Sequence, residues 1–329
     1  MSFKLLGTGS PLVDYSLEIS DTALGETVPG GKGCTRNISH QERDRILSRG
    51  ENIYRSPGGS AANTIRTFSR LGGSASLFGK TGNDEDGFFF RSQLLTAGAD
   101  DSLLLQTDFS ETGYCLSLVT PDAERTMLSD LGASLDIAIE DVEKVQFRDF
   151  DYLLLEGYLA CESWSIPFLE KAKASGIPVA LDLNNFELVR KKREYFNFLV
   201  NNYVDLLFAN EEEIKTLLDI TDIDDIEKKL KVPQAVVKLG KKGSLLVIPP
   251  EGNVIKISPA PAEKVKDTTG AGDFYAAGFF YGISRNLPPE KCCRLGALCA
   301  SAIISVTGTE LNDNEWNLLR NNVNNEVNL

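Results

Sequence analysis

Residues 266–278 read Lys266-Asp267-Thr268-Thr269-Gly270-Ala271-Gly272-Asp273-Phe274-Tyr275-Ala276-Ala277-Gly278, and the rest of the chain is organised around them. The glycines on either side of Ala271 let consecutive backbone N–H groups point the same way, and the apolar run after Asp273 predicts a helix that starts there. The amides and positive dipole end of a helix start attract an anion such as a phosphate. Asp273 places a carboxylate beside that anion, which is the arrangement that phosphoryl transfer requires. A glycine turn followed by an N-capping aspartate explains the same residues without a ligand.

The overall composition narrows the range of partners. The chain has 329 residues and a net charge of −13, which disfavours binding to nucleic acid or to an anionic membrane surface. We therefore expect a small-molecule ligand, and an anionic one would need local amides, lysines or a metal cation. The N-terminus lacks the features of a secretory signal, no apolar run approaches membrane-spanning length, and the six cysteines show no Cys-x-x-Cys spacing. These observations predict a cytoplasmic protein with reduced thiols.

Two glycine-rich segments near the N-terminus lack residues that nucleotide loops need. In residues 7–12, Pro11 stands where a phosphate-binding helix should begin and Leu12 replaces the third glycine of a dinucleotide turn. Residues 25–33 contain Gly-Lys without a glycine five positions earlier, so they do not form a Walker loop. An NAD-dependent enzyme is therefore the weaker alternative. The single histidine, His40, lies in a charged segment, and we expect it to be a solvated helix residue.

A second glycine motif lies at residues 56–73, Ser-Pro-Gly-Gly-Ser-Ala-Ala-Asn-Thr-Ile-Arg-Thr-Phe-Ser-Arg-Leu-Gly-Gly. The pattern predicts a loop and then a helix with Ile65, Phe68 and Leu71 on one face, ended by the last two glycines. Taken as structure alone, the first glycine pair is a turn and Asn63 is a polar residue of the first helical turn.

From residue 150 onward strands and helices alternate, which predicts a parallel sheet. We predict strands at 152–156, 178–183 and 205–209 and helices at 164–175 and 190–200. Such sheets bind ligands at the carboxyl ends of their strands, where Asp182, Asn184 and Asn210 fall. Residues 210–213, Asn-Glu-Glu-Glu, are also explained as a helix start whose acidic side chains complement the dipole. Residues 235–248 predict a hairpin with a glycine-bounded turn.

β-rich pieces interrupt this α/β chain twice. Residues 15–20 alternate as a strand, residues 112–128 predict a hairpin that turns at Pro121-Asp122, and Ser39-x-x-Glu42 begins a polar helix. These segments have little chain in which to bury a core of their own, so we expect them to be exposed and to open easily.

Both glycine motifs resemble known signatures. Asp267-Thr-Thr-Gly-Ala-Gly-Asp273 resembles the C-terminal signature of the ribokinase (PfkB) family of carbohydrate and nucleoside kinases, and residues 58–63 resemble its N-terminal signature. The resemblance runs from Gly7 to Gly308 and is closest to bacterial adenosine-kinase-like members, through residues 113–127, 155–158 and 205–211. It implies a single ribokinase-like α/β domain over residues 1–329, with a mostly parallel central sheet flanked by helices. A small β-rich lid, formed by parts of about 12–57 and 112–129, is inserted near the N-terminus.

The resemblance also implies a role for each matched residue. Asp273 is the catalytic base, and the anion hole is formed by Gly270, Ala271 and Gly272. The acceptor is bound by Asp14, Gly58, Gly59, Asn63 and Arg125. ATP and Mg²⁺ lie near Asn210, Glu213, Lys238, Gly240, Gly243 and Thr268, and a monovalent cation such as K⁺ lies near Asp267 and Thr269.

The implied reaction is ATP-dependent transfer of the γ-phosphoryl group to a primary hydroxyl of a nucleoside or sugar. The acceptor stays open between adenosine, another nucleoside, ribose, fructose and another sugar, because Thr269 stands where eukaryotic adenosine kinases have an asparagine that touches the nucleoside. A non-catalytic sugar or nucleoside sensor is the alternative from another class, and the presence of Asp273 argues against it. Both a monomer and a homodimer are compatible with the sequence.

Overall fold

The protein consists of two β-sheets of unequal size and the helices that pack on them. The computed structural model describes residues 3–28, 31–122, 124–249, 253–262 and 264–328. Its strands are β1 (Lys4–Thr8), β2 (Leu12–Glu18), β3 (Thr35–Asn37), β4 (Glu51–Gly58), β5 (Ser74–Gly82), β6 (Leu104–Thr107), β7 (Thr112–Val119), β8 (Arg125–Gly132), β9 (Tyr152–Glu156), β10 (Val179–Asp182), β11 (Leu206–Asn210), β12 (Gln234–Lys238), β13 (Ser244–Ile248) and β14 (Asn253–Ile257). Its helices are α1 (Asp21–Thr27), α2 (His40–Leu47), α3 (Ser60–Arg70), α4 (Glu85–Thr96), α5 (Ile139–Val142), α6 (Ser165–Ala174), α7 (Phe186–Lys191), α8 (Arg193–Asn202), α9 (Glu211–Leu218), α10 (Ile226–Lys229), α11 (Ala271–Ser284), α12 (Pro289–Ile303) and α13 (Asp313–Asn328). Within these ranges, no helix combines the length and the apolar character that crossing a bilayer requires.

The larger sheet has nine strands in the order β14-β13-β12-β11-β10-β9-β1-β5-β6. The strands from β12 to β6 in this order pair in parallel, and β13 and β14 extend the β12 edge in antiparallel fashion. The strands predicted from residue 152 onward lie at its centre as β9, β10 and β11. Leu206, Leu207 and Phe208 of β11 are completely buried, as expected for a strand covered on both faces.

Helices cover both faces of this sheet, and alternate residues of each strand point to one face or the other. Leu206 and Phe208 belong to a core that also contains residues of α3, α11, α12 and α13. Leu207 belongs to the opposite core, with residues of α6, α8 and α9. In the asparagine-rich helix α13, Trp316 stacks on Phe274 of α11 at 6.0 Å between ring centroids. The C-terminal helix therefore braces the glycine-motif helix.

The smaller sheet has five strands in the order β3-β8-β7-β2-β4. The expectation that these segments lack a core is wrong, because Leu17, Leu24, Ile46, Tyr114 and Leu116 are buried together between the sheet and helices α1 and α2. The polar sequence of α2 hides this, since one buried isoleucine suffices to dock the helix. His40 is not a freely solvated residue either. Its ring packs edge-on against Tyr114 at 4.8 Å.

The helix predicted at 190–200 is two helices. Helix α7 ends at Lys191, Lys192 has a non-helical backbone (φ −122°, ψ 31°), and α8 begins at Arg193. The run of basic residues hides this break because it contains no glycine or proline to mark it.

Candidate active site

The glycine-rich turn before α11 leaves part of the first helical turn free for an anion. Gly270 is the N-cap, with a left-handed backbone (φ 75°) that favours glycine, and no side chain caps the helix. The Ala271 N–H donates to the Thr268 carbonyl at 3.2 Å, whereas the N–H groups of Gly270 and Gly272 make no hydrogen bond within the described part of the chain. Free amides at a helix start attract negative charge. This turn therefore has two amides available for an anion.

Asp273 lies in the first turn of α11 and is held by two residues of α3. Ser60 Oγ donates to one carboxylate oxygen of Asp273 at 2.6 Å, and Asn63 Nδ2 donates to the other at 3.0 Å. Asn184 Nδ2, after strand β10, in turn donates to Ser60 Oγ at 2.7 Å. Burial raises the pKa of the Asp273 carboxyl to about 7, although the hydrogen bonds from Ser60 and Asn63 oppose this effect. A carboxylate with a pKa near neutrality is suited to act as a general base.

Asp14 faces the same cleft from strand β2. Its neighbour across the ladder is the end of β4, where Leu12 pairs with Gly58 and Asp14 pairs with Ser56. A Cβ atom at Gly58 would overlap the Asp14 carboxylate, and one at Gly59 (φ 91°) would overlap the Ser10 carbonyl oxygen. Burial raises the pKa of Asp14 to about 7, and the Arg66 charge opposes the rise. Gly58 is thus required by the close approach of the Asp14 carboxylate, and Gly59 by the Ser10 carbonyl oxygen and by its own left-handed backbone.

Arg66 is a residue that the sequence reasoning missed. Its guanidinium is buried and donates to the Pro57 carbonyl at 3.3 Å, to Asn63 Oδ1 at 3.4 Å and to Glu310. Arg66 therefore fixes the amide of Asn63, whose other end holds Asp273. All residues of α3 from Ala61 to Ser69 are buried, and the sequence alone does not show that Arg66 is among them.

Glu156 was also missed as a site residue. Its buried carboxylate accepts hydrogen bonds from Ser10 N at 2.7 Å, Ser10 Oγ at 2.6 Å and Ala61 N at 3.2 Å. Burial raises the pKa of Glu156, and these hydrogen bonds oppose the rise. The side chain joins the end of β9 to the turn after β1 and to the start of α3, so it ties the glycine motif of residues 56–73 to the centre of the larger sheet.

Asn210 and Glu213 cap their own helix. Asn210 Oδ1 accepts from Glu213 N, and Glu213 Oε2 accepts from Asn210 N, both at 2.8 Å, in a reciprocal capping box at the start of α9. Burial raises the pKa of Glu213, with Lys238 opposing and Asp182 adding to the rise. Residues 210–213 thus begin a helix, as the sequence predicts. The Glu213 carboxylate also lies near the charges of Lys238 and Asp182 at the edge of the sheet.

Lys238 ends strand β12 and reaches across to the neighbouring strand ends. Its Nζ donates to Asp182 Oδ2 at 2.9 Å. Gly243 (φ 88°) and Gly240 (φ 57°) lie in the turn after β12, and a Cβ at Gly243 would overlap the Ile257 carbonyl oxygen. Gly243 therefore lets this turn approach the end of β14, and Lys238 is the member of this group that reaches the anion-binding turn.

Asp267, Thr269 and Arg125 form one cluster across the cleft. Arg125 of β8 donates to Asp267 Oδ1 at 2.9 Å, and Thr269 donates to the same oxygen from its N–H at 3.0 Å and from its hydroxyl at 2.8 Å. Gly308 N donates to the other oxygen at 2.9 Å. Against the effect of burial, these hydrogen bonds lower the pKa of Asp267. The side-chain oxygens of this loop are thus already bonded to donors.

A cavity of about 280 Å³ lies between the small sheet and the loops of the larger one. Asp14, Arg125, Asp267 and Thr269 line it, and the remaining lining residues are Tyr15, Ser16, Tyr54, Ser56, Cys115, Ser117, Met127, Thr307, Gly308 and Thr309. The cavity therefore unites residues predicted for the acceptor with residues predicted for a cation.

The protein has the architecture of a small-molecule phosphotransferase. It combines an open α/β sheet, an anion-binding helix start with a buried carboxylate beside it, and a small sheet over the cleft. The model of the pfkB family of carbohydrate kinases matches residues 32–317, and the chain belongs to this family.

Named relatives agree with this assignment. The crystal structure of adenosine kinase from Sinorhizobium meliloti superposes with a TM-score of 0.85 at 29% identity, covering 98% of this chain and 100% of that one. The ribokinase of Arabidopsis thaliana is 28% identical over 291 residues, 81% of this chain and 73% of the relative. The 5-dehydro-2-deoxygluconokinase of Geobacillus thermodenitrificans is 30% identical over 266 residues, 75% of this chain and 78% of the relative. The predicted ribokinase-like fold is confirmed, and the protein is an ATP-dependent kinase with an alcohol group as acceptor.

Proposed function

We propose that this kinase phosphorylates the primary hydroxyl of a nucleoside. The observation that carries the proposal is the lining of the cavity, where Tyr54, Cys115 and Met127 offer apolar surface beside the carboxylate of Asp14. A flat base buries apolar surface against such side chains, whereas a free sugar presents hydroxyls on every side and needs polar partners for them. Asp14 suits the diol of a ribose because an ionised carboxylate accepts two hydrogen bonds at once.

The charge of the cavity argues against an acidic sugar as acceptor. Among the described residues that line it, Arg125 is the one cation, and its guanidinium is paired with Asp267. A carboxylate-bearing sugar would compete with Asp267 for this guanidinium and would add a negative charge to a cavity that already holds Asp14 and Asp267. A neutral sugar remains the second candidate, since ribokinase is among the relatives.

In the proposed mechanism, Asp273 takes the proton of the acceptor hydroxyl while that oxygen attacks the γ-phosphorus. The bond from the γ-phosphorus to the oxygen that bridges it to ADP breaks, and ADP leaves with that electron pair. The free amides of the Gly270–Gly272 turn stabilise the negative charge of the transferred group. Asn63 and Ser60 hold Asp273 in place, and Gly58, Gly59 and Asp14 hold the acceptor.

Mg²⁺ fits this site as a companion of ATP. No cluster of three or more His, Cys, Asp or Glu side chains in the described ranges is arranged to hold a metal alone. Mg²⁺ keeps much of its water shell and binds phosphates through few protein ligands, so Asn210 and Glu213 at the sheet edge would hold its waters. Bound there, it would neutralise phosphate charge. The polar turn from Lys238 to Gly243 and the exposed Thr268 would border the nucleotide.

A monovalent cation fits less directly. Asp267 Oδ1 already accepts from Arg125 and from the N–H and hydroxyl of Thr269, whereas Asp267 Oδ2 accepts from the Gly308 N–H. K⁺ at this loop would therefore be bound by Asp267 Oδ2 and by main-chain carbonyl oxygens. The proposal therefore assigns no chemical step to it. Activity in KCl compared with tetramethylammonium chloride at equal ionic strength tests its presence.

The small sheet, formed by parts of about residues 12–57 and 112–129, is proposed to act as a lid over the cleft. Arg125 reaches from it to Asp267 across the cleft, whereas Tyr15, Arg43 and Arg55 attach it to Asp86 on α4. Breaking the contact with Asp267 while keeping the contacts with Asp86 would let the small sheet turn as a rigid body. Opening would admit the acceptor, and closure would then exclude water.

All six cysteines are free thiols, which supports the proposed cytoplasmic location.

ADP formation from ATP with a panel of acceptors tests the proposal. The panel contains adenosine, guanosine, cytidine, ribose, fructose and 5-dehydro-2-deoxygluconate, and Asp273→Asn run in parallel excludes a contaminating kinase. We expect kcat/KM to be at least tenfold higher for one of the nucleosides than for any free sugar. A sugar as best acceptor would make the protein a sugar kinase, and nucleoside binding without turnover would make it a sensor.

A further inference from the structure

The ammonium group of Lys238 lies against the anion-binding turn. Besides its contact with Asp182 Oδ2 at 2.9 Å, Nζ lies 3.0 Å from the point that a Cβ atom on Gly272 would occupy. The side chain is 18% exposed, and its own Cδ and Cε atoms follow the same path over Gly272. The absence of a side chain at residue 272 therefore leaves room for the Lys238 side chain beside the first turn of α11.

This position opposes the helix dipole. A cation is stabilised at the carboxyl end of a helix and destabilised at its amino end, where the free N–H groups already carry positive charge. Three carboxylates from three different elements compensate for it, namely Asp182 of β10, Glu213 of α9 and Asp273 of α11. Burial alone would lower the pKa of Lys238, but these charges outweigh it and raise the pKa, so the ammonium stays protonated. A local conflict maintained by several elements is typical of a functional site.

A phosphoryl group would remove the conflict. It would place negative charge beside the amides of Gly270 and Gly272 and beside the ammonium, which lies against Gly272. We propose that Lys238 is a catalytic residue that binds a non-bridging oxygen of the γ-phosphoryl group, and that Asp182 holds it in place until the nucleotide arrives. This deepens the proposed function and depends on it, because it takes the turn before α11 as the phosphoryl site.

Lys238 exchanges no proton in this scheme. The proton of the acceptor goes to Asp273, the acceptor oxygen forms its bond to phosphorus, and the electron pair of the breaking bond leaves with ADP. The ammonium moves from Asp182 to the phosphoryl oxygen and stabilises the charge that spreads over the non-bridging oxygens in transfer. Because we expect the ammonium to bind the phosphoryl group more tightly in the transition state than in the ground state, the main effect falls on kcat.

Substitution of Lys238 tests the inference. Lys238→Met removes the charge at similar length, Lys238→Gln keeps a donor for Asp182 without the charge, and Lys238→Arg keeps the charge. We expect kcat to fall about 10²–10³-fold in the first two, the usual loss for one electrostatic contact to the transition state. The acceptor KM should stay within threefold. The arginine variant should recover at least tenfold of the loss.

The matched control is Lys173→Met. Lys173 also binds an aspartate, Asp205, at 2.9 Å, but on the surface and away from the cleft. This variant should keep the wild-type kcat. Thermal melting of every variant separates an effect on folding from an effect on catalysis. If Lys238→Met does not fold, Lys238→Gln provides the test.

Two results would overturn the inference. One is a folded Lys238→Gln or Lys238→Met variant with kcat within threefold of wild type. The other is an arginine variant as slow as the methionine variant, since the charge would then not matter. Wild-type protein that forms no ADP with any acceptor would refute the proposed function itself, so the two failures are distinguishable.

Discussion

Replacement of Asp273 by asparagine should slow the enzyme and stabilise its fold at the same time. The pKa of this carboxyl is raised from 3.8 to about 7 by burial, so the folded protein disfavours the ionised form that catalysis needs. A shift of about three pKa units corresponds to about 4 kcal/mol of unfolding free energy at alkaline pH. The amide can still accept from Asn63, but the Ser60 hydroxyl must turn to become an acceptor, which costs about 1 kcal/mol. We expect a net gain of about 1–3 kcal/mol at pH 8.

The direction of the pKa shift fixes the pH dependence of this gain. Between the unfolded pKa near 3.8 and the folded pKa near 7, the folded protein binds a proton that the unfolded chain does not. Wild-type stability therefore falls as pH rises through this window, and the destabilisation is fully present above it. The difference between variant and wild type should accordingly be small at pH 5 and reach its plateau near pH 8.

Urea unfolding at pH 5, 6, 7 and 8 measures the difference, with the exposed Asp149→Asn as the matched control. In the same samples, kcat of Asp273→Asn should be lower than wild type by about 10²–10⁴-fold, the range for losing a positioned base. Wild-type kcat/KM should fall as pH drops below about 7, because the base becomes protonated. A stability difference that is equal at pH 5 and pH 8 would show that the carboxyl has no raised pKa. A kcat within a factor of a few of wild type would remove Asp273 from the role of base.

Three further predictions concern the acceptor side of the cleft. Asp14→Ala should weaken acceptor binding far more than ATP binding in calorimetry, and an equal loss of both would mean that the side chain serves the fold. Gly58→Ala places a Cβ in the Asp14 carboxylate and should raise the acceptor KM at least tenfold, with Gly25→Ala, whose Cβ would meet no atom within 4 Å, as the control. Amide exchange in residues 112–119 should slow when acceptor is added and respond less to nucleotide alone. Exchange that is already slow and insensitive to acceptor would make the small sheet a fixed wall or a subunit contact.

The parts of the fold that sequence predicted are those specified by local patterns. Alternating strands and helices after residue 150 give the parallel sheet, and the capping box at Ser39 and the glycines after α3 mark helix ends within a few residues. The glycine turn at residue 270 is equally local, because the left-handed N-cap needs only glycine itself. The core of the small sheet was not predictable in this way. Its members lie within residues 17–28, 38–46, 114–118 and at residue 128, and only the fold brings these segments together.

The site residues that were missed are those whose partners are distant in sequence. Arg66 meets Glu310 across 244 positions, and Glu156 meets Ser10 across 146. In sequence each is an ordinary charged residue, and only the fold supplies the opposite group. Their function is to hold other side chains in place, and no short motif encodes such contacts.

Charge explains why this particular cation matters in this particular chain. With a net charge of −13, the protein as a whole repels ATP, and Asp182, Glu213 and Asp273 add three carboxylates at the point of transfer. Two free amides carry only partial charges, so they cannot balance these groups and a phosphate together. Lys238 supplies a full positive charge within the buried site, where solvent screening is weakest. The acidic surface and the local cation are therefore compatible, because the first acts over long distances that salt screens and the second acts at contact.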